Sequence, residues 1–386
     1  MTTSLTLETS PALPRGLFFV GGDSGPEGRL YVGPAGIVAG ATAAAALASG
    51  QAWSLAGGSL AFSACSVLLR HANQVIEAAA PFCDVLDWSE AEGGAVSRHV
   101  GTLLTRFGKI RPPFAGLAMD RPRVMGIVNV TPDSFSDGGR FFDTEAAIAH
   151  GLTLLEAGAD LLDVGGESTR PGAEEVAADE EMRRVVPVVR ALAERGAIVS
   201  VDTRHASVMG AAVEAGAAII NDITALSGDP QSVSVAAKSG ASVVLMHTNG
   251  DPRIMQQDPH YAFAPLDIYD YLAGRLDVCR AAGIPDERLC VDPGIGFGKT
   301  VAHNLQIMAR LGLFHGLGVP VLLGVSRKAF IGKVSRGEPA SERLAGSLAA
   351  ALQGVEQGTQ ILRVHDVAET VQAVAVWRSI RNGGIA

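Results

Sequence analysis

Polar or charged side chains follow almost every short apolar run in the C-terminal two thirds of this sequence. They are Asn129, Glu167, Asp202, Asn221, His247, Asp292, Ser326 with Lys328, and Arg363 with His365. A single aspartate after a strand is usually a helix N-cap, so no one position is decisive. Because eight runs end in this way, capping is a poor explanation for the set, and the pattern predicts one shared site.

Four of these residues could together bind a flat heterocycle. Asp202, Asn221, Asp292 and Lys328 offer both acceptors and donors, and buried groups of this kind need a hydrogen-bonding ligand or one another. A carboxylate accepts two parallel hydrogen bonds from a guanidine-like N–C–N edge. A ring that carries amino, imino and oxo groups would therefore satisfy this set.

A second group is suited to an anion. Arg363 and His365 are two residues apart on one predicted strand, so their side chains point to the same side. Ser168, Thr169 and Arg170 add further donors from a neighbouring loop. This combination of charge and hydroxyl groups favours a polyphosphate.

Two long loops border these groups. Residues 129–140 read NVTPDSFSDGGR and residues 165–173 read GGESTRPGA, and loops of this composition often close over a substrate. The sequence contains no nucleophile elbow, no HExxH motif and no Ser-His-Asp order. The glycine run at 294–299 follows a strand end and lacks a matching acidic partner, so it is weak evidence for a nucleotide-binding loop.

The elements that must position these residues repeat along the chain. Apolar runs occur at 124–130, 161–164, 198–201, 218–220, 242–246, 289–291, 321–325 and 361–364. Helical patterns fall between them, for example at 144–157, 179–195 and 367–381. Eight strand-helix units in roughly 260 residues predict a (β/α)₈ barrel of the α/β class. The alternative is a doubly wound sheet, but the first run is followed by NVTPD rather than by a glycine-rich dinucleotide turn.

The first 120 residues differ in composition from the rest. They are rich in Ala, Gly and Ser and contain no chemical motif. We expect an N-terminal α+β extension over residues 1–120 and a barrel over residues 121–386, joined by a proline-containing segment at 111–122. No charged residue lies between Leu30 and Leu69, yet the most apolar part is short and mostly Ala and Gly. A spanning helix needs about 20 strongly apolar residues, so this stretch predicts a buried or interface segment and no membrane insertion.

Composition excludes several other classes. The 386 residues are 47% hydrophobic and 18% charged, which excludes global disorder, and the net charge of −9 argues against a nucleic-acid partner. The four cysteines form no CxxC pair, so we expect reduced thiols rather than a zinc site or a disulfide framework. Because no secretory signal is visible, we expect a cytoplasmic protein.

Eight motifs occur in an order that resembles a known family. They are NVTPDSFSDGG, DVGGESTRPGA, SVDT, IIND, LMH, DPGIGFGK, GVSRK and RVHD. Over residues 123–386 this series resembles the bacterial dihydropteroate synthases, which are pterin-binding TIM barrels. The resemblance implies a transferase of folate biosynthesis that is usually a homodimer. Such an enzyme joins 6-hydroxymethyl-7,8-dihydropterin diphosphate to p-aminobenzoate, forms a C–N bond and releases diphosphate with the help of Mg²⁺.

The resemblance also implies a role for individual residues. The pterin would contact Asp202, Asn221, Ile223, Met246, Asp292, Phe297, Gly324 and Lys328. The diphosphate would contact Asn129, Thr169, Arg170, Arg363 and His365, and Asn129 would also be the contact to Mg²⁺. The p-aminobenzoate would contact Phe135, Arg170, Pro171, Ser326 and Lys328. The catalytic residues would be Asp202, Asp292, Lys328, Arg363 and Asp137, the last of which would steady a developing cation.

Other functions fit parts of the pattern. A folate-binding barrel of the corrinoid methyltransferase type would share the Asp-Asn-Asp pocket, but should not need the two loops or the RVHD motif. A non-catalytic binding or scaffold barrel would be signalled by loss of Arg363, Lys328 or the loop residues, and none is lost. The sequence departs from many family members at Arg204-His205 and at 247–250. The extension could be a cap, a dimerisation element, a degenerate second domain or a partner-binding module.

Overall fold

The computed structural model describes residues 6–16, 28–71, 74–130, 140–167, 175–249, 255 and 257–384. The extension contains β1 (Thr6–Ser10), β2 (Arg29–Ala39), α1 (Gly40–Ala48), β3 (Trp53–Leu55), β4 (Leu60–His71), β5 (Gln74–Pro81), α2 (Phe82–Ala91) and α3 (Gly94–Gly108). Its sheet has the order β1-β5-β4-β2, and β3 also pairs with β4. The predicted α+β character of this region is confirmed.

The remaining residues alternate strands and helices. The strands are β6 (Arg123–Asn129), β7 (Leu161–Gly165), β8 (Val199–Asp202), β9 (Ile219–Asp222), β10 (Ser242–Met246), β11 (Leu289–Asp292), β12 (Leu322–Leu323) and β13 (Ile361–Val364). The helices are α4 (Arg140–Glu156), α5 (Ala178–Ala193), α6 (Ala206–Glu214), α7 (Ser232–Ser239), α8 (Ala264–Ala281), α9 (Val301–Ala309), α10 (Ala329–Val334), α11 (Leu344–Glu356) and α12 (Val367–Asn382). Each of the eight predicted runs coincides with one strand.

These eight strands form a parallel barrel. Their order is β11-β10-β9-β8-β7-β6-β13-β12, and a parallel bridge between Val291 and Val321 joins the two ends. The backbone N–H of Val291 donates to the carbonyl oxygen of Pro320 at 3.0 Å. The (β/α)₈ prediction is therefore confirmed, and the doubly wound sheet is excluded because such a sheet stays open.

The proline-containing segment closes the lower end of the barrel. Arg111 is buried, and its guanidinium donates to the carbonyl oxygens of Arg106 (2.9 Å) and His315 (3.3 Å). Phe114 and Leu117 exchange two backbone hydrogen bonds of 2.9 Å, and the Phe114 ring is completely buried. It packs against an apolar layer inside the barrel that is formed by Met125, Leu161, Ile219, Val244, Cys290, Leu322 and Ile361.

The uncharged stretch from Leu30 to Leu69 lies mostly in strands of the extension. Phe62 on β4 is fully buried and makes edge-on contacts with Phe82 of α2 (6.0 Å between ring centroids) and Phe107 of α3 (5.8 Å). Burial under α2 and α3 thus explains the absence of charge in β4, but not in α1, where only Ala43 is buried. Among the described helices, none is long and apolar enough to cross a membrane.

Polar contacts fix the extension to the side of the barrel. The hydroxyl of Tyr31 donates to Asp270 on α8 at 2.7 Å, and Arg70 pairs with Asp267 on the same helix. Arg310, which follows α9, pairs with Glu77 of β5 at 2.5 Å. These pairs are partly buried, so the extension and the barrel are held in one arrangement by groups from both.

We expect Phe114→Ala to destabilise the protein by about 3–5 kcal/mol, because it removes a buried ring from the lower end of the barrel. Urea denaturation measures this change. Ile110→Ala is the control, because Ile110 is 75% exposed in the same segment and its loss should change stability by less than about 0.5 kcal/mol. Equal effects of the two substitutions would contradict the role assigned to Phe114.

Candidate active site

The polar residues inside the barrel lie one layer above the apolar layer that contacts Phe114. Side chains alternate along a strand, so the residue two positions further on points the same way. Adding two to Leu161, Ile219, Val244, Cys290, Leu322 and Ile361 gives Asp163, Asn221, Met246, Asp292, Gly324 and Arg363. The barrel therefore brings the predicted residues of five strands into one layer, and it adds Asp163.

Arg363 is at the centre of this layer. Its Nε donates to Asp163 Oδ2 at 2.5 Å, and its Nη2 donates to Asp202 Oδ2 at 2.7 Å. Asn221 Nδ2 also donates to Asp163 Oδ2, at 3.1 Å. The sequence divides these residues into a heterocycle group and an anion group, whereas the structure joins the two groups through Arg363.

Asp163 is the site residue that the sequence analysis missed. It is fully buried, and it lies in the middle of the apolar run LLDVG rather than at its end. The criterion of polar residues at strand ends therefore passed over it. The sequence nevertheless contains a signal that could have identified Asp163, because a charged residue inside a buried strand requires a partner.

Burial changes the titration of Asp202. It raises the pKa of this carboxyl to about 7, with Asp163 acting in the same direction and the Arg363 guanidinium acting against it. The group therefore changes its charge near neutral pH. Perturbed carboxyl groups of this kind cluster at functional sites.

Asp292 and Lys328 form the opposite side of the site. Asp292 Oδ1 accepts a hydrogen bond of 2.7 Å from the backbone N–H of Gly294, and burial raises the pKa of this carboxyl. Lys328 Nζ lies 4.0 Å from the centroid of the Phe297 ring. Burial, together with the charge of Arg363, lowers the pKa of Lys328 to about 8.

An apolar surface lies beside these polar groups. Ile223, Met246, Met255 and Phe297 form a separate buried cluster at the upper end of the barrel. Three of them, Ile223, Met246 and Phe297, were expected to contact the heterocycle. Gly324 leaves open space here, because a Cβ at this position would lie 3.9 Å from both Asp292 Oδ2 and Arg363 Cβ.

Ser326 and His365 contact each other at the rim. His365 Nδ1 lies 3.0 Å from Ser326 Oγ, and the backbone N–H of His365 donates to the same oxygen at 3.2 Å. Burial and the nearby Arg363 lower the pKa of His365 to about 4, so its imidazole is neutral at pH 7. It can donate a hydrogen bond to an anion but does not neutralise its charge. Asn129, at the end of β6, is half-buried and pairs with Gly165 of β7.

Two of the polar strand ends have structural contacts instead. Glu167 accepts hydrogen bonds from Arg204, at 3.1 Å to Nη2, and from the backbone N–H of Val176. His247 is buried, and its Nδ1 lies 3.1 Å from Lys299 Nζ. Six expected residues lie outside the described part of the chain: Phe135, Asp137, Ser168, Thr169, Arg170 and Pro171.

The glycine run at 294–299 forms the loop that follows β11, directly after Asp292 and Pro293. Gly294 has a φ of +68°, and a Cβ there would lie 1.9 Å from the carbonyl oxygen of His247, so only glycine fits. Lys299 Nζ donates to the carbonyl oxygens of Phe297 (2.9 Å) and His247 (3.3 Å). Burial lowers the pKa of Lys299 to about 7. Because Lys299 is engaged in this way, the run holds the loop after β11 in place and resembles no phosphate loop.

Comparison with known proteins supports this description. The model of the family described as pterin binding enzyme matches residues 125–365, from within β6 to just beyond β13. The dihydropteroate synthase of Escherichia coli is 48% identical over 261 residues, which are 67% of this chain and 92% of that protein.

Two solved structures are similar in the same way. Xanthomonas albilineans dihydropteroate synthase with 4-aminobenzoic acid is 51% identical, with a TM-score of 0.66 over 69% of this chain and 96% of that chain. The same enzyme in complex with 7,8-dihydropteroate is 48% identical, with a TM-score of 0.63 over 69% of this chain and 95% of that chain. The chain belongs to the pterin binding enzyme family and, within it, to the dihydropteroate synthases, which are transferases of folate biosynthesis.

Proposed function

We propose that this chain condenses 6-hydroxymethyl-7,8-dihydropterin diphosphate with p-aminobenzoate to give 7,8-dihydropteroate and diphosphate. The observation that carries this proposal is the polar layer beside the apolar surface of Ile223, Met246 and Phe297. In this layer Asn221 and Asp292 are buried, and Asp202 and Lys328 are partly buried. A pterin has one flat apolar ring system and an edge of alternating donors and acceptors. The apolar surface would contact the ring face, and the polar layer would pair with the donors and acceptors of the edge. A methyltransferase-type barrel has no observation in its favour.

We assign the edge of the pterin to the two carboxylates and the amide. When ionised, Asp202 or Asp292 can accept two N–H groups from the ring, and such charge-assisted pairs are the stronger ones. Asn221 can donate and accept, and Lys328 can donate to a ring nitrogen or oxo group. Phe297 and Met246 would cover one face of the ring, with Gly324 leaving room for it.

The reaction breaks the C–O bond between the pterin methylene and diphosphate, and it forms a C–N bond to the amine of p-aminobenzoate. The amine gives up one proton, which passes to solvent. Because an aromatic amine is a weak nucleophile, departure of the diphosphate before attack suits this chemistry. The carboxylates of Asp202 and Asp292 would stabilise the positive charge that develops on the ring. We assign a similar role to Asp137 in the first loop.

We assign the diphosphate to Arg363, His365, Asn129, Thr169 and Arg170. Arg363 already uses Nε and Nη2 for Asp163 and Asp202, but a guanidinium has five N–H donors. Its remaining donors can reach an anion above the ring. Neutral His365 would add a hydrogen bond.

We propose that Mg²⁺ enters with the diphosphate. Mg²⁺ prefers oxygen ligands and is often bound by one or two protein oxygens together with substrate phosphates. The amide oxygen of Asn129 at the end of β6 is a ligand of this kind. The described residues include no cluster of three or more His, Cys, Asp or Glu side chains that could hold a metal ion. When bound, Mg²⁺ would supply charge to the leaving group.

We assign the second substrate to the rim. Ser326 and Lys328 follow β12 and are two residues apart in the chain, and Phe135, Arg170 and Pro171 would come from the two loops. A ring with a carboxylate would find both charge and apolar contacts there. Closing the loops would also exclude water, which would otherwise compete with the amine.

The first prediction concerns turnover and its dependence on Asp202. With both substrates and Mg²⁺ we expect equal release of diphosphate and dihydropteroate, each dependent on p-aminobenzoate. Asp202→Asn removes a charged acceptor, so kcat/KM for the pterin substrate should fall about 10- to 100-fold. Asp120→Asn is the control, because Asp120 is 71% exposed at the other end of the barrel. No release from folded protein would contradict the proposed function, and unchanged kcat/KM in Asp202→Asn would contradict the role of Asp202.

The second prediction concerns pH. Asp202 binds N–H donors best when ionised, so kcat/KM should rise as the pH increases through about 7. It should fall again above about 8, where Lys328 loses its charge. In Lys328→Arg the side chain stays charged, so the alkaline limb should move to higher pH while the acid limb stays. An alkaline limb that does not move would show that another group causes it.

We also propose that the chain acts as a homodimer in the cytoplasm, with its barrel at 121–386 preceded by the extension at 1–120. The four cysteines are free, which is typical of a reducing compartment. Val376 and Ile380 are 54% and 74% exposed and lie one turn apart on α12, so they offer an apolar face to a second copy.

Light scattering should give twice the monomer mass, and Ile380→Glu should shift the protein to the monomer. A monomeric wild-type protein would exclude the dimer, and an unchanged dimer in Ile380→Glu would exclude this face of α12.

A further inference from the structure

A cleft lies between the N-terminal extension and the barrel, away from the carboxyl ends of the barrel strands. It has a volume of about 490 Å³, which is within the range of small-molecule sites. Residues from β2, α3 and α8 form its walls, and residues of the 3₁₀ helix Leu311–Leu317 form part of its floor. None of the residues assigned to the active site lines this cleft. The residues that β2 and α3 contribute to it also lie before the region that the family model matches, which is 125–365.

Arginines dominate the polar lining of this cleft. Arg29, Arg98, Arg106 and Arg280 all line it, whereas Asp277 is the single carboxylate among the lining residues. This excess is notable in a chain with a net charge of −9. Arg98 and Arg106 are eight residues apart on α3, which places both on one face, about 12 Å apart along the helix.

Two of the four arginines are compensated by acids and two are not. Arg29 pairs with Asp270 at 3.0 Å, and Arg280 pairs with Asp277 at 2.9 Å and with Asp286 at 2.7 Å. Within the described ranges, Arg98 and Arg106 pair with no carboxylate. The guanidinium groups of Arg98 and Arg106 are therefore open to an anionic ligand.

Part of this lining is held in place before any ligand arrives. Arg106 Nη1 donates to the carbonyl oxygen of Gly316 at 3.1 Å, and the Arg29 guanidinium lies 5.2 Å from the centroid of the Tyr31 ring. Such contacts reduce the entropy that is lost when a ligand binds. His99 Nε2 donates to the carbonyl oxygen of Leu30 at 3.2 Å, and burial together with Arg106 and Arg29 lowers the pKa of His99.

The floor of the cleft is apolar. Leu103, Leu313 and Leu317 line it and are 3–4% exposed. A ligand that fills the cleft would thus meet two unpaired guanidinium groups on one side and aliphatic side chains on the other. An inorganic ion would satisfy only the first of these surfaces.

We propose that the cleft between α3 and α8 binds a small organic anion, in which a phosphate or carboxylate group is attached to an apolar body. The anionic group contacts Arg98 and Arg106, and the apolar body lies on Leu103, Leu313 and Leu317. Arginine suits both anions because its planar fork matches their oxygen atoms. The extension thereby adds a ligand site that the barrel alone cannot form, because β2 and α3 supply three of its four arginines.

The test is a titration of the full-length protein with phenyl phosphate, followed by calorimetry. The anion group of the active site also binds phosphates, so we expect two sites in the wild-type protein. Arg98→Ala should weaken one of them about tenfold, as expected for the loss of one charged hydrogen bond, and Arg98→Glu should abolish it. Both variants should keep the wild-type turnover. Arg190→Ala is the control, because Arg190 is an exposed arginine on α5 and its loss changes the net charge equally.

Four further outcomes decide the proposal. Arg363→Ala should weaken the other site and leave the one in the cleft. A titration with phenylacetate, compared with that of phenyl phosphate, shows whether the cleft prefers a carboxylate or a phosphate. Binding of either compound at the cleft supports the proposal. If both Arg98 variants bind phenyl phosphate like the wild-type protein, the cleft site does not exist. If inorganic phosphate binds the cleft as tightly as phenyl phosphate, the apolar body has no role and the assigned ligand class is wrong.

Discussion

The site depends on the pairing of one guanidinium with two buried carboxylates. Asp163 is fully buried and Asp202 is nearly so, and both would be costly to ionise without a counter-charge. Arg363 supplies that charge to both. It lies 200 residues from Asp163 and 161 residues from Asp202 in the chain. The contact therefore exists only because β13 pairs with β6 and β6 pairs with β7, which is what closing the barrel accomplishes.

The burial of this layer also shifts the pKa of several of its groups. Three carboxylates (Asp163, Asp202 and Asp292) and three cations (Arg363, Lys328 and Lys299) share a volume from which water is largely excluded. Burial raises the pKa of Asp202 and Asp292 and lowers the pKa of both lysines. A substrate with N–H donors at one end and an anion at the other offers new partners to both kinds of group. When such a substrate binds, the carboxylates and cations of the layer can exchange some of their present partners for groups of the substrate. No charge is then left without a partner in the low-dielectric interior.

The described residues of the extension form a separate sheet with helices beside the barrel, and none of them belongs to the polar layer. Its contacts are with α8 and with the segment after α9, through Tyr31, Arg70 and Glu77. The connecting segment continues below the barrel, where Phe114 covers the apolar layer opposite the site. The extension therefore stabilises the scaffold from the side and from below, and it creates the cleft with α8. The candidate site at the carboxyl ends of the strands is built from residues of the barrel.

Several features could be predicted from the sequence because they depend on local periodicity. The eight apolar runs, the barrel, and a shared site with Asp202, Asn221, Asp292, Lys328 and Arg363 all follow from short runs that end in polar residues. Other features needed the tertiary structure. Asp163 lies inside a run rather than at its end, Glu167 and His247 turn to structural partners, and His365 is neutral because of its burial beside Arg363.

The fold of the extension also depends on contacts that no local pattern records. Its core is made by β2 and β4, whose pairing joins residues up to 41 positions apart, and by aromatic rings on α2 and α3. Its small, uncharged residues are equally compatible with a strand, a loop or a buried helix. The sequence by itself determined most of the polar side chains that line the barrel and placed each strand to within two residues, since a period of two is a local property. Only the tertiary structure decided which charges meet, because an ion pair depends on distance in space and on burial rather than on position along the chain.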